Sequence, residues 1–207
     1  MAEQQQPEMF HFSESVREYF GKPEVRSAVD LLVENKFVFA PSADDEWRKV
    51  DTFYDALLAA RQTQIELAKD LARLWHEVWG QNFDELKPIA SDPADETLSL
   101  SPEIRWNEEY FERHFSFAHS RKACLWVVLG DGPKELSTFD IAFDVRAGKR
   151  SVAKRHQNAL PPQLSEWRFK HDAIRVSIQA NDAGVFNLKE ARQLAKNAVK
   201  VIGTFTW

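Results

Sequence analysis

Residues 139–156 read FDIAFDVRAGKRSVAKRH. The opening alternates strictly. Phe139, Ile141, Phe143 and Val145 fall on one side of an extended chain, and Asp140, Ala142, Asp144 and Arg146 on the other. This is the pattern of a half-buried strand. It runs at once into a cationic segment of Arg146, Lys149, Arg150, Lys154, Arg155 and His156, six basic residues in eleven positions with no acid among them. A strand with one apolar and one polar face belongs in an antiparallel sheet, packed on one side only.

The neighbouring segments extend that sheet. Residues 123–129 (ACLWVVL) are apolar on both faces and suit a central strand. Gly130, Asp131, Gly132 and Pro133 make a turn between the two strands. Downstream, residues 166–170 alternate charged residues with Trp167 and Phe169. Residues 173–179 alternate Ile174, Val176 and Ile178 with Arg175, Ser177 and Gln179, and His171-Asp172 turns between them. The chain then predicts a helix opened by Asn187, with Glu190 at capping-box spacing and Gly203 past its end.

The first half has a different period. Residues 1–11 read as a frayed tail. A short helix over 15–20 has Ser15 and Glu18 as a capping box and Gly21 as a stop, and Pro23 suits the first turn of a second helix. Residues 37–39 end that helix or form a short strand. Residues 44–79 contain neither Gly nor Pro, with Ser42 and Asp44 available as caps and Gly80 closing the end. Trp47, Val50, Tyr54, Leu57, Ile65, Ala68, Leu71, Trp75 and Trp79 recur there at helical spacing. The whole predicts an α+β fold. An N-terminal helical region with one long amphipathic helix (1–81) leads through an acidic, Pro-containing linker (82–103) to an α+β domain (104–207). That last part is a mainly antiparallel β-meander with a C-terminal helix packed on one face. A short strand over 97–100 fits inside the linker.

Composition bounds the function. The chain has 207 residues, 43% of them hydrophobic, enough for a sizeable core. Its net charge of −5 conceals a polarity. Residues 140–207 hold 12 Lys/Arg against 6 Asp/Glu (+6), and residues 1–139 hold 15 against 26 (−11). The sharpest acidic stretch, 82–112, has nine acids against Lys87 and Arg105. With one cysteine, Cys124, no intrachain disulfide forms. The start lacks an apolar signal region and no segment reads as a membrane span, so a cytoplasmic protein is expected.

No motif identifies a reaction or a cofactor. There is no G-x-S-x-G elbow, no phosphate-binding Gly loop and no Cys-rich metal site. Asp140 and Asp144 share a strand face but stand ~13 Å apart, too far to chelate one ion as a pair. Asp144-Val-Arg146 and Glu166-Trp-Arg168 have the acidic-x-basic spacing of metal-dependent nucleases, with Arg in place of Lys. A solvent-facing charge ladder, with Asp144 paired across strands to Arg168 or Arg175, explains the same triplets. His114 and His119 diverge on either a strand or a helix, so they do not share zinc.

The remaining lead is the basic surface: Arg146, Lys149, Arg150, Lys154, Arg155 and His156, with Arg168 and Lys170 adjoining. The reading favoured is a non-enzymatic macromolecule-binding protein (inhibitor, adaptor or regulator) whose partner is another protein. The Trp47, Trp75 and Trp79 stripe of the long helix reads as core; if that helix projects as an arm, the same stripe becomes a surface for a homodimer or another partner. Nucleic-acid binding through 146–156 is the alternative. Against it, the polar sheet face offers no aromatics for base stacking. A metal-dependent nuclease is the further alternative.

Overall fold

A computed structural model describes residues 8–33, 47–80, 90–91, 110–117, 121–129, 136–147, 150–151, 154, 160–180 and 184–202. The elements in chain order are β1 (Met9–Phe10), α1 (Glu14–Gly21), α2 (Pro23–Val33), α3 (Trp47–Val78), β2 (Ala90–Ser91), β3 (Tyr110–Phe117), β4 (Arg121–Leu129), β5 (Thr138–Ala147), β6 (Arg150–Ser151), β7 (Arg168–Lys170), β8 (Ala173–Gln179), β9 (Phe186–Asn187) and α4 (Leu188–Ile202). The fold is α+β, with an N-terminal helical region, antiparallel sheets and a C-terminal helix. The strand expected over 97–100, the segment 37–39, the turn at 130–133 and the stop at Gly203 lie outside the described residues.

The main sheet has the order β2-β3-β4-β5-β8-β7, with β6 beside β5. All its pairs are antiparallel. β3, β4 and β5 form a meander. The next two strands form an antiparallel pair laid down in reverse order. The chain first lays β7 at the outer edge and then returns β8 between β7 and β5. Strand chemistry explains the order. β8 presents Ile174, Val176 and Ile178 to the core and can be paired on both sides. β7 is three residues long, with exposed Arg168 and Lys170, and such short charged strands protect a sheet edge.

His171 (φ 48) and Asp172 (φ 58) join β7 to β8 in the two-residue turn with both φ values positive. Non-glycine residues carry a penalty in that region. Asp172→Gly is therefore expected to stabilise the protein by about 0.5–1 kcal/mol, read as a rise in urea midpoint at unchanged slope. No change in midpoint would mean that Asp172 compensates its own backbone strain.

α3 has 32 residues and is unbroken through Ala59 and Ala60, a rod of ~48 Å. Its C-terminal half buries Leu67, Leu71, Leu74, Trp75, Val78 and Trp79 in a single core shared with the sheet. The Trp75 and Trp79 indoles lie one turn apart. Each donates its N–H to a β4 carbonyl, of Leu125 and Trp126 respectively, both at 2.9 Å. These two tryptophans are therefore core, as expected, and the Trp47 side chain lies outside the described residues. α4 adds Leu188, Ala191, Leu194, Ala195, Ala198 and Val199 to the same core. Its N-cap is the expected one: Asn187 Oδ1 accepts the Lys189 backbone N–H at 3.0 Å.

The N-terminal expectation is corrected. Residues 8–12 are not a frayed tail: β1 pairs with β9, the Leu188 N–H donates to the Glu8 carbonyl, and Phe10 and Phe12 are buried. Phe12 meets Phe186 edge-on at 5.8 Å, and Phe186 meets Phe139 at 4.7 Å, so the terminus is tied by aromatic contact to β5. Arg192 holds the same corner. Its Nε donates to the Glu77 carbonyl at 2.8 Å, and its guanidinium pairs with the Glu8 and Glu77 carboxylates. The N-cap of α1 lies two residues before the Ser15 of its expected capping box. Ser13 is the N-cap, its backbone N–H donates to Asp70 Oδ2 at 2.6 Å, and its side chain caps nothing. The expected second helix does begin at Pro23.

Candidate functional site

Directly opposed residues of an antiparallel pair share a face, so the register defines the side of the sheet turned away from α3. Asp140, Ala142, Asp144 and Arg146 of β5 define it. One row runs Glu112, Trp126, Ala142, Arg175, Arg168 across five strands. The next row on one side runs Tyr110, Val128, Asp140, Ser177. On the other side lie His114, Cys124 and Asp144, and then Ser116, Lys122, Arg146 and Ser151.

The aspartates are not a solvent-facing ladder. Asp144 is 0% and Asp140 5% exposed. A buried carboxylate needs hydrogen-bond donors, and each has its own. Asp144 accepts from Arg146 Nε at 2.8 Å and from Ser151 Oγ at 2.8 Å. Ser151 Oγ in turn accepts the Lys154 backbone N–H at 3.2 Å. The hydrogen bond that Arg146 donates to Asp144, opposed by burial, raises the Arg146 guanidinium above its ordinary value. Asp140 accepts from Ser177 Oγ at 2.6 Å and lies 3.7 Å from Arg175 Nη1. The expected pairing of Asp144 with Arg168 or Arg175 is therefore corrected: Asp144 takes Arg146 of its own strand, and Arg175 faces Asp140.

This arrangement sets the start of the basic segment. β4 occupies one edge of β5 throughout. On the other edge β8 pairs only to Phe143, and β6 takes over opposite Arg146 and Ala147. Arg146 and Ala147 thus pair antiparallel with Ser151 and Arg150. Of the predicted cations, Arg146, Lys154, Arg168 and Lys170 are exposed. Arg150 sits opposite Ala147, while Lys149, Arg155 and His156 lie outside the described residues. The structure gathers Arg168 and Lys170 on the edge strand and places Arg175, absent from the predicted patch, directly opposite Arg168. Arg175 Nε is buried without a hydrogen-bond partner. Of the acidic stretch 82–112, the described residues 90–91 (β2) and 110–112 (β3) lie at the far edge of the sheet from β7.

Two further expectations change. Trp126 is half-buried on this same face, so the face does carry an aromatic. Its place in the ACLWVVL run hid it, because both faces of that run are apolar. Cys124 sits between His114 and Asp144 in register and is buried, while His119 lies outside the described residues. Among the described residues no group of three His, Cys, Asp or Glu could hold a metal ion. Asp140 and Asp144 are each held by separate partners. None of the described helices is long and apolar enough to cross a membrane. No family model, curated protein or solved structure matches this chain.

Proposed function

We propose that the protein is a non-enzymatic macromolecule-binding protein of the cytoplasm that docks acidic groups of a partner protein on the β7–β8 edge of its outer sheet face. One observation carries the reading. Arg168 and Arg175 are directly opposed on neighbouring strands, which brings their Cβ atoms to about 5 Å and is unfavourable for like charges. Arg175 Nε lacks a hydrogen-bond partner, and Asp140 meets only one of its nitrogens, at 3.7 Å. An anion between the two guanidiniums relieves the repulsion. Arginine forks match carboxylates in two-point geometry, which favours an acidic protein surface as the ligand.

A second reading rests on Trp126, separated from Arg175 in the same row only by the small Ala142. An aromatic beside two arginines also fits a single-stranded nucleic acid, with a base on the ring and phosphates on the cations. Cross-linking and mass spectrometry of complexes isolated with the full chain test the first reading, with labelled single-stranded DNA and RNA at low salt as the second arm. Expected are protein cross-links clustered around 168–175 and a loss of about tenfold or more in affinity for Arg168→Glu with Arg175→Gln. Protein complexes indifferent to that double change would sink the first reading. Tight, salt-sensitive oligonucleotide binding abolished by the same change would replace it with the second.

A further inference from the structure

Among the described residues, α3 keeps one exposed and patterned stripe. Leu58 is 66% and Ile65 43% exposed, the two large hydrophobic residues left in solvent among the described residues. They are seven residues apart, so they lie on one side of the helix ~10 Å from each other. Asp55 and Lys69 are exposed on that same stripe, beyond either end of the apolar pair. Neither has an ion-pair partner among the described residues. The stripe thus reads acid, apolar, apolar, base from its N-terminal to its C-terminal end.

Such a stripe is complementary to itself when reversed. The mid-point of Leu58 and Ile65 and the mid-point of Asp55 and Lys69 both fall at Arg61–Gln62, within about one residue rise of each other. A two-fold axis there satisfies the apolar pair and the charged pair in the same register. A closed dimer of this kind needs the same patch on both subunits. A parallel pairing would instead set Asp55 against Asp55 and Lys69 against Lys69.

We propose that this face of α3 is a self-association surface for a second copy of the chain lying antiparallel, with Leu58 on the partner's Ile65 and Asp55 paired to the partner's Lys69. The surface is separate from the outer sheet face, so it stands or falls independently of the binding function. With one helix from each subunit in contact, the interface is small and the dimer weak and concentration-dependent.

Sedimentation velocity on the full chain over a concentration series tests it. A monomer–dimer equilibrium is expected. Leu58→Glu, an exposed position and a good helix former, should weaken it about tenfold or more, with circular dichroism unchanged. Lys69→Glu alone should also weaken it. Asp55→Lys combined with Lys69→Glu should restore it to within about twofold, because the reversed pairs re-form across the axis. A monomer at every concentration up to about 1 mM overturns the proposal. So does a dimer indifferent to Leu58→Glu. A double variant no better than Lys69→Glu alone overturns the antiparallel register.

Discussion

Trp75→Ala is expected to lower the unfolding free energy by about 3–5 kcal/mol, the usual range for deleting a buried Trp. The indole is 1% exposed and sits between α3 and β4. Its removal takes away a large buried area and leaves a cavity that a rigid helix against a paired strand cannot close. It also strips the donor from the Leu125 carbonyl, a central-strand acceptor bonded at 2.9 Å. Trp75→Phe separates the two contributions. It keeps most of the apolar area and loses the N–H, so about 1–3 kcal/mol is expected from the lost second hydrogen bond to that carbonyl and the residual space. Urea unfolding monitored by circular dichroism gives both values, provided the slope stays constant. A loss under about 1 kcal/mol for Trp75→Ala would mean that α3 and the sheet do not share one core.

Asp144→Ala is expected to cost about 2–3 kcal/mol through its two charge-assisted hydrogen bonds. The figure is kept low because the Arg146 side chain is 45% exposed and regains water when its partner is removed. The loss is local in character. Asp144 receives Arg146 from its own strand and Ser151 from β6, so it is the pin of the β5–β6 pair. Faster amide exchange in that pair, with β4 and β8 still protected, is the expected signature. Asp144→Asn keeps an acceptor for Arg146 and should lose about half as much. Unchanged exchange in the pair with a full loss of stability would show that Asp144 acts on the sheet as a whole.

The two aspartates show where sequence reading stops. Alternation correctly set Phe139, Ile141, Phe143 and Val145 on the core face. It could not show that the other face of β5 is also withdrawn from solvent, because burial there depends on what lies over it. The same strand pattern fits a solvated ladder or an internal counter-charge, and only the positions of Ser151 and Ser177 distinguish them. The cationic patch was legible in part. Arg146, Arg168 and Lys170 are countable from the run and the alternation. The opposition of Arg168 to Arg175 is a register fact, and it required knowing that β8 turns back inside β7.

Local signals carried the elements themselves. The Gly- and Pro-free stretch ending near Gly80 determined α3, Pro23 determined the start of α2, and Asn187 the start of α4, because caps and breakers act on their immediate backbone. The alternation of 139–145 and 173–179 determined two strands and their core faces. Tertiary structure decided the rest. It recruited residues 8–12, polar in company but carrying Phe10 and Phe12, into the core. It exposed Leu58 and Ile65 on the helix that buries Trp75 and Trp79, and it set Arg168 and Lys170 on the edge strand of the sheet. Helical periodicity ranks residues by angle around an axis, but what covers each angle along ~48 Å of helix is set by non-local packing. That packing follows from the strand order, and the strand order is written in no single segment of the chain.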